Sequence, residues 1–301
     1  MTQLEPLVES RRQFLALVAD LRPVLHRYCA RMTGSIADGE DVVQETLARA
    51  YYALPEFPDT PELRPWLFRI AHNRALDFLR RYEHRMSQSM EAVPDVAGDE
   101  TEDPEDGLAR EHAMHAAVSR FVQLAPAQRS CVILKDVLGH SLDEIAALLE
   151  LSVPGVKAAL HRGRVRLRDE LANVAESAAR PASPVVARYA ALFNARDWDG
   201  VRAMLADDVR LDLVQRSQRA GRREVGTYFT KYDLVSDWRL RPAWLEDREV
   251  LAVYRHVGDV RPGYFIELTL VDDCISVIRD FRYVPYVAQE AVFEFDPAAS
   301  G

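Results

Sequence analysis

Three cysteines in 301 residues, Cys29, Cys131 and Cys274, lie far apart and form neither a C-x-x-C pair nor a Cys/His ligand set. That spacing speaks against a disulfide framework or a zinc site and suits a reducing cytoplasm. The N-terminus has no basic-then-apolar signal pattern, and no apolar run approaches the length of a membrane span. Internal repeats and long low-complexity runs are missing too. Positive charge is also scarce: 47 acids against 38 Lys and Arg leave a net charge of -9. The acids, however, are concentrated. Ser87 to Ala109 holds eight of them (Glu91, Asp95, Asp99, Glu100, Glu102, Asp103, Glu105, Asp106) and no Lys or Arg. Residues 1–180 hold 28 acids and 22 basic residues, and without that tract the balance is 20 to 22. A local basic face on an acidic protein remains open.

What is present is enough chain for two or three domains with real apolar cores, since 48% of the residues are hydrophobic. Phe14, Leu17, Val18, Leu21, Leu25 and Tyr28 recur at helical spacing, with Pro23 as a point where the helix kinks or splits. A second helix is expected from Gly39 to Leu54, with Asp38 as N-cap, and a third from about Pro65 to Tyr82. The acidic tract reads as a flexible linker. Helices resume near Leu108 and run to about Glu176, and "AARPASP" (178–184) reads as a second linker. Val185–Ala195 and Val201–Leu205 look helical. Beyond Trp238 the period shortens to two in "EVLAVYRH", "GYFIELTLV" and "CISVIRDFRYV", with Asp272-Asp273 as a hairpin turn. Helices followed by a mostly antiparallel sheet make an α+β domain.

The segment "SLDEIAALLELSVPGVKAALHRGRVRLRDEL" (141–171) carries the first functional signal. Ser141 and Glu144 have the spacing of a capping box, and Ser152 is placed to cap a second helix with Pro154 in its first turn. Two helices joined by so short a turn form a helix-turn-helix. Val156, Leu160, Gly163, Leu167 and Leu171 make one apolar seam of the second helix. Gly163 weakens a helix by about 1 kcal/mol relative to Ala, so close packing is expected there. Lys157, His161, Arg164 and Arg168 make another face, flanked by Arg162 and Arg166. Such a stripe suits phosphates and a major groove. Taken alone, it is also what a solvated helical hairpin presents.

A second constellation lies upstream. In "DGEDVVQETLARAYYALPEF", Val43, Leu47, Ala50 and Leu54 face a core, and Asp41, Gln44, Glu45 and Ala48 form an acidic stripe opposite. That stripe suits a basic protein partner or serves only to solubilise. In "RPWLFRIAHNRALDFLRR", Trp66, Arg69, Asn73, Asp77 and Arg80 share a face, in a region (61–85) with six Arg against three acids. A Trp beside Arg and Asn can stack on an unpaired base and bond to its edge. Core packing is the competing role for Trp66.

On these residues, together with "LAPAQRSCVILKDVLGH" preceding the helix-turn-helix, the chain resembles an extracytoplasmic-function sigma factor of the sigma-70 family. Residues 10–86 resemble region 2 and 108–175 resemble region 4. The resemblance implies a cytoplasmic transcription initiation factor with no catalytic activity, metal or cofactor. Its partners would be bacterial core RNA polymerase, through the β′ clamp helices and the β flap, and promoter DNA. Asp41, Gln44 and Glu45 would then bind the clamp helices. Trp66, Arg69, Asn73, Asp77 and Arg80 would recognise the −10 element, stacking and pocketing an extruded base. Lys157, Ala158, Ala159, His161, Arg162 and Arg164 would read the −35 element as duplex. Two positions depart from the family's pattern. Glu150 stands where Gly is frequent in the turn, adding roughly 1 kcal/mol of strain if that site is left-handed. Ala158-Ala159 replaces a frequent Ser-Arg, removing one charge.

The chain continues about 115 residues past region 4. "VVARYAALFNARDWDGVRAMLADDVRLDLV" (185–214), "GRREVGTYFTKY" and the paired strands resemble the SnoaL-like/NTF2-like cone, a curved sheet wrapped around helices and an apolar pocket. The expected fold class is therefore multidomain, two all-α domains followed by an α+β cone. The expected boundaries are 1–86, a linker at 87–107, 108–177, a linker at 178–184, 185–288, and a tail at 289–301. The extension is expected to modulate activity, by packing on regions 2 and 4 or by sensing a small molecule. A DGGGK-type motif known from one subgroup of such proteins is absent. Two alternatives stay open: a one-component regulator with a ligand-sensing cone, and an NTF2-like enzyme fused to a DNA-binding region. For the latter, Asp212, Tyr228, Tyr254, His256 and Asp280 are candidates by residue type. Arg216, Arg219, Arg222 and Arg223 form a further basic cluster.

Overall fold

A computed structural model divides the chain into two compact units, Met1–Ala175 and Glu176–Gly301. The residues described are 4–53, 63–86, 106–172, 180–229, 232, 237–256 and 258–295. Leu54, most of the acidic linker and part of the second linker lie outside them.

In the first unit, α1 (Leu4–Thr33) runs through Pro23 without ending there. Phe14, Val18, Leu21, Leu25, Tyr28 and Met32 are buried along it. Tertiary burial of one face outweighs the missing N–H. The second helix, α2 (Ile36–Ala53), starts ahead of the expected cap. Ser35 Oγ, not Asp38, takes the capping role by accepting the Asp38 N–H at 3.2 Å. Asp38 instead sits in the first turn, where a carboxylate favours the positive helix end. Gly39 allows α1 and α2 to cross closely: a Cβ there would lie 2.5 Å from the Ala30 backbone. The third helix, α3 (Leu63–Met86), buries Leu67, Phe68, Ala71, Ala75 and Leu79.

Then come α4 (Asp106–His115), a 3-10 turn (Val118–Gln123) and α5 (Pro126–Val132), which passes into a π turn (Ile133–Val137). The helix-turn-helix follows as α6 (Leu142–Leu149) and α7 (Val153–Ala172). One hydrophobic cluster runs from Phe14 to Leu167, so α1–α3 and α4–α7 share a core.

The second unit opens with α8 (Pro184–Asn194), capped by Ser183, and α9 (Trp198–Ala203), capped by Asp197. The helix expected at 201–205 ends early, because Leu205 already begins β1 (Leu205–Leu213). Val209, Leu211 and Leu213 alternate inward along it, which is a strand period. After β1 come β2 (Ser217–Ala220), α10 (Arg222–Phe229), β3 (Arg239–Leu245), β4 (Arg248–Tyr254), β5 (Tyr264–Val271) and β6 (Cys274–Asp280). Last are α11 (Tyr286–Gln289) and β7 (Glu294–Phe295), the latter contributed by the segment expected as a tail and paired with β3.

The strands form one sheet in the order β2-β1-β6-β5-β4-β3-β7, antiparallel except where β1 lies parallel to β6. Asp272 and Asp273 do turn the β5–β6 hairpin, with φ of 50° and 61°. Glu246 and Asp247 do the same between β3 and β4, at 54° and 61°. Both are two-residue turns with positive φ throughout, matching the twist of the strands they join. Register shifts in β1 and between Thr269 and Leu270 mark bulges, which bend strands. Residues of α8, α9 and α10 share one buried cluster with the inner sheet face. This is the α+β architecture the cone resemblance implied.

Candidate nucleic-acid interface

Three helical faces carry the residues singled out by the sequence. On α2, Asp41 and Gln44 are half-buried and Glu45 is exposed. Glu45 lies 3.7 Å from Arg81 of α3, a solvated ion pair of little energetic weight. On α3, Arg69, Asn73 and Arg80 are exposed on one side. Trp66 is half-buried and packs partly against the core, so its ring combines a structural edge with an open one. Asp77 is held between Arg74 at 2.6 Å and Arg80 at 3.8 Å.

The helix-turn-helix is built by local chemistry. Ser141 Oγ accepts from Glu144 N–H at 3.2 Å, and Glu144 Oε2 accepts from Ser141 N–H at 2.7 Å. These bonds hold the Glu144 carboxyl below its ordinary range. Glu150 ends α6 in the left-handed region, φ 57° and ψ 40°. The backbone strain anticipated for a non-glycine residue there is therefore real. Ser152 Oγ caps α7 by accepting from Gly155 N–H at 3.2 Å. Gly163 sits where a Cβ would come within 2.7 Å of Val132, the close packing its position called for.

Along α7, Lys157 is exposed, and Ala158, His161 and Arg162 are half-buried. Ala159 faces the core at 3% exposure. Arg164 makes a bidentate bond to Asp136 of the π turn, with Nε at 3.0 Å and Nη2 at 2.7 Å. Its planar fork is thus engaged by a buried carboxylate. Asp136 was not singled out from sequence, because the pairing spans 28 residues and depends on the π turn.

The sequence also gave no sign of the polar seam inside this unit. Buried Arg129 donates to the carbonyls of Met32, Val122 (2.8 Å) and Leu124 (2.9 Å). His72 Nδ1 bonds Tyr28 Oη at 2.8 Å and Ser130 Oγ at 3.4 Å. Burial pulls the His72 pKa down to about 4. Beside the seam is a cleft of about 330 Å³ lined by His72, Leu76, Leu79, Arg80, Leu149 and Leu151, among others.

Residues 17–85 match Sigma-70 region 2, and residues 118–167 match Sigma-70, region 4. The RNA polymerase sigma factor CarQ of Myxococcus xanthus is 32% identical over 170 residues, covering 56% of this chain and 94% of CarQ. The chain belongs to the sigma-70 family. Its extracytoplasmic-function relatives include SigG of Mycobacterium tuberculosis, 36% identical over 224 residues, or 65% of this chain. The match spans 60% of the length of SigG. The solved structure of the extracytoplasmic function sigma factor SigJ of Mycobacterium tuberculosis aligns with 88% of this chain and 95% of its own, at 23% identity and a TM-score of 0.34. The helical faces above are therefore faces of sigma regions 2 and 4. Among the described residues no helix is long and apolar enough to cross a membrane.

In the second unit of this sigma factor, the residues chosen by type separate. Asp212 lies 3.7 Å from Arg279. Tyr254 is half-exposed and His256 exposed, the latter beside the Asp259 turn. Only Tyr228 and Asp280 converge, in the buried interior, where Tyr228 Oη donates to Asp280 Oδ2. Tyr232, Tyr264 and Tyr189 join them, unforeseen from sequence. Burial raises the Asp280 carboxyl, opposed by the Tyr228 hydrogen bond. In the arginine cluster, Arg216 stacks on Tyr283 at 4.6 Å, Arg219 bonds Thr227 and Arg222 pairs with Asp207, while Arg223 is exposed.

Proposed function

We propose that this sigma factor binds bacterial core RNA polymerase and directs it to promoters, with no chemistry of its own. The observation that carries the reading is the joint presence, in one unit, of the exposed Arg69, Asn73 and Arg80 row on α3 and the capped basic helix-turn-helix. An operator-binding regulator needs only the second. Asp41, Gln44 and Glu45 are assigned to the polymerase. Trp66, Arg69, Asn73, Asp77 and Arg80 are assigned to the −10 element. In the −35 set, Lys157, Ala158, His161 and Arg162 meet the groove, Ala159 lets α7 pack, and Arg164 fixes its orientation through Asp136. The division of labour follows the expected boundaries, regions 2 and 4 at 1–86 and 108–177 and the modulating cone at 185–288.

Engaging both elements at once requires the first unit to open. The −10 and −35 centres stand ~25 base pairs apart, or ~85 Å at the B-DNA rise. A compact body of about 175 residues spans roughly 40 Å. Regions 2 and 4 therefore separate at the Arg129–His72 seam on loading. Transcription from a pool of promoter fragments by sigma-free core polymerase tests the reading, with the full chain beside residues 1–180. Discrete starts that depend on the added protein are expected. Their ratio between the two chains gives the sign of the cone's effect. No starts and no core binding from either chain would refute the assignment.

A further inference from the structure

One face of α3 meets region 4 across an open cleft of about 330 Å³. Helix α3 supplies His72, Leu76, Leu79 and Arg80 at helical spacing, α5 supplies Ala127, and α6 and the turn after it supply Leu149 and Leu151. Four leucines thus surround space that none of them fills, and Leu151 stays 38% exposed at its edge. Protein interiors are close-packed, and apolar walls held apart forgo their dispersion contacts. Of the eight lining residues only His72 and Arg80 carry polar side chains, and none is acidic.

Both polar groups have an N–H to offer. Tyr28 Oη lies 2.8 Å from His72 Nδ1 and 3.4 Å from Ser130 Oγ, and Ser130 Oγ gives its own hydrogen to the Pro126 carbonyl at 2.9 Å. Along the shorter contact Tyr28 donates and Nδ1 accepts. Burial keeps the ring neutral, so its one proton sits on Nε2. With Nδ1 taken up in the seam, Nε2 is the ring atom left for the cleft. Arg80 is loosely held. Its guanidinium is 3.8 Å from Asp77, which already holds Arg74 at 2.6 Å, and its side chain is 75% exposed.

We propose that this cleft binds a small aliphatic carboxylate. The carboxylate accepts from His72 Nε2–H and pairs with the Arg80 guanidinium, and the alkyl chain lies among the four leucines. A cation would meet two donors and no acceptor, and the apolar walls are aliphatic rather than aromatic. A volume of this size is at the lower end for ligand pockets, which limits the occupant to a short chain. Bound there, one molecule touches α3 of region 2 and α5 and α6 of region 4 at once, and so favours the closed unit. It also occupies Arg80, which is assigned to the −10 element. The binding is independent of that assignment, whereas opposition to promoter loading rests on it.

The test titrates the full chain with octanoate and, separately, with octanol, which has the same chain and a neutral oxygen. Calorimetry gives the affinities, and the His72 ring resonances and hydrogen exchange of the α5 amides locate the site. Octanoate is expected to bind about tenfold more tightly, the factor one charge-assisted hydrogen bond supplies, and to shift the His72 resonances. At about ten times its Kd it should slow α5 exchange about tenfold, because it binds the closed form. Arg80→Gln should remove most of the preference for the acid while leaving octanol affinity intact. Ala127→Leu, at an exposed position of α5, narrows the cleft and should weaken both probes together without lowering the melting temperature. No binding of either probe, equal affinity for the two, binding that leaves His72 unshifted, unchanged α5 exchange, or a preference that survives Arg80→Gln would each overturn the proposal.

Discussion

Two buried polar clusters, one in each unit, obey opposite rules. In the seam between regions 2 and 4, Tyr28, His72, Ser130 and Arg129 bond to one another or to backbone carbonyls. In the cone, Tyr228, Tyr232 and Asp280 are bonded while the Tyr189 hydroxyl is left over. A closed set of bonds holds surfaces together and can be exchanged for water when they part. An unbonded hydroxyl inside a core forfeits its hydration and gains no partner in exchange.

The largest expected effect falls on the closed set. Arg129→Ala strands the carbonyls of Met32, Val122 and Leu124 and should cost about 3 kcal/mol of stability. Arg282→Ala, which removes a guanidinium from over the Trp238 ring, should cost about 1 kcal/mol or less. Thermal unfolding of the two variants compares them directly, and equal losses would remove the distinction. Asp280→Ala comes next. It leaves the Tyr228 and Tyr232 hydroxyls with only each other and the Arg282 N–H without its acceptor, and a loss of about 2 kcal/mol is expected from denaturant midpoints. An unchanged midpoint would mean that water replaces the carboxylate freely.

The contrast between local and long-range chemistry decided what the sequence could reveal. The Ser141–Glu144 capping box, the strained turn at Glu150 and the close approach at Gly163 each involve residues a few positions apart or one glycine on a helix face, and all were readable. The helix faces of regions 2 and 4 were readable for the same reason, since period and family motif coincide there. Tyr28 and Ser130 meet across 102 positions, and no periodicity encodes that meeting. Tyr228 and Asp280 were nameable by type, but their convergence depends on the register of β6 and the placement of α10, 52 positions away. The start of α2 was misplaced because Ser35 and Asp38 both carry capping side chains, and only geometry selects between them. The helix expected at 201–205 holds to Ala203 but was carried into the first residue of β1, whose inward alternation becomes regular only at Val209.

Protons should act on the seam and spare the cone hydroxyls. Burial holds His72 near 4 in the closed unit against an ordinary value of 6.5. The closed state therefore binds fewer protons, and its advantage is complete above pH 6.5 and declines as pH falls towards 4. Between pH 7.5 and 5.5 the ratio of closed to open forms should drop about tenfold. Beside His72, burial raises the Tyr28 hydroxyl further from that window, and Ser130 carries no charge. His140, edge-on to Phe68 with centroids 5.5 Å apart, is lowered by burial in the same direction. Hydrogen exchange of the α5 amides measures the opening. Replacing both histidines by glutamine should flatten the profile, and a profile unchanged by the replacement would assign the pH response elsewhere.

The smallest effect is the most discriminating, because one substitution is asked to change sign. Tyr28→Phe removes a hydroxyl bonded to His72 and Ser130 and leaves the His72 Nδ1 with only the longer Ser130 contact, at 3.4 Å. It should cost about 1 kcal/mol. Tyr189→Phe removes a hydroxyl that bonds to nothing, and the desolvation it relieves should stabilise the protein by up to about 1 kcal/mol. Both rings are wholly buried, and both variants delete the same atom, so packing and unfolded-state terms largely cancel in the comparison. Melting temperatures that move in opposite directions would establish that the first hydroxyl is held by the fold and the second is not. Two losses of equal size would place a water on Tyr189 and make the two clusters alike.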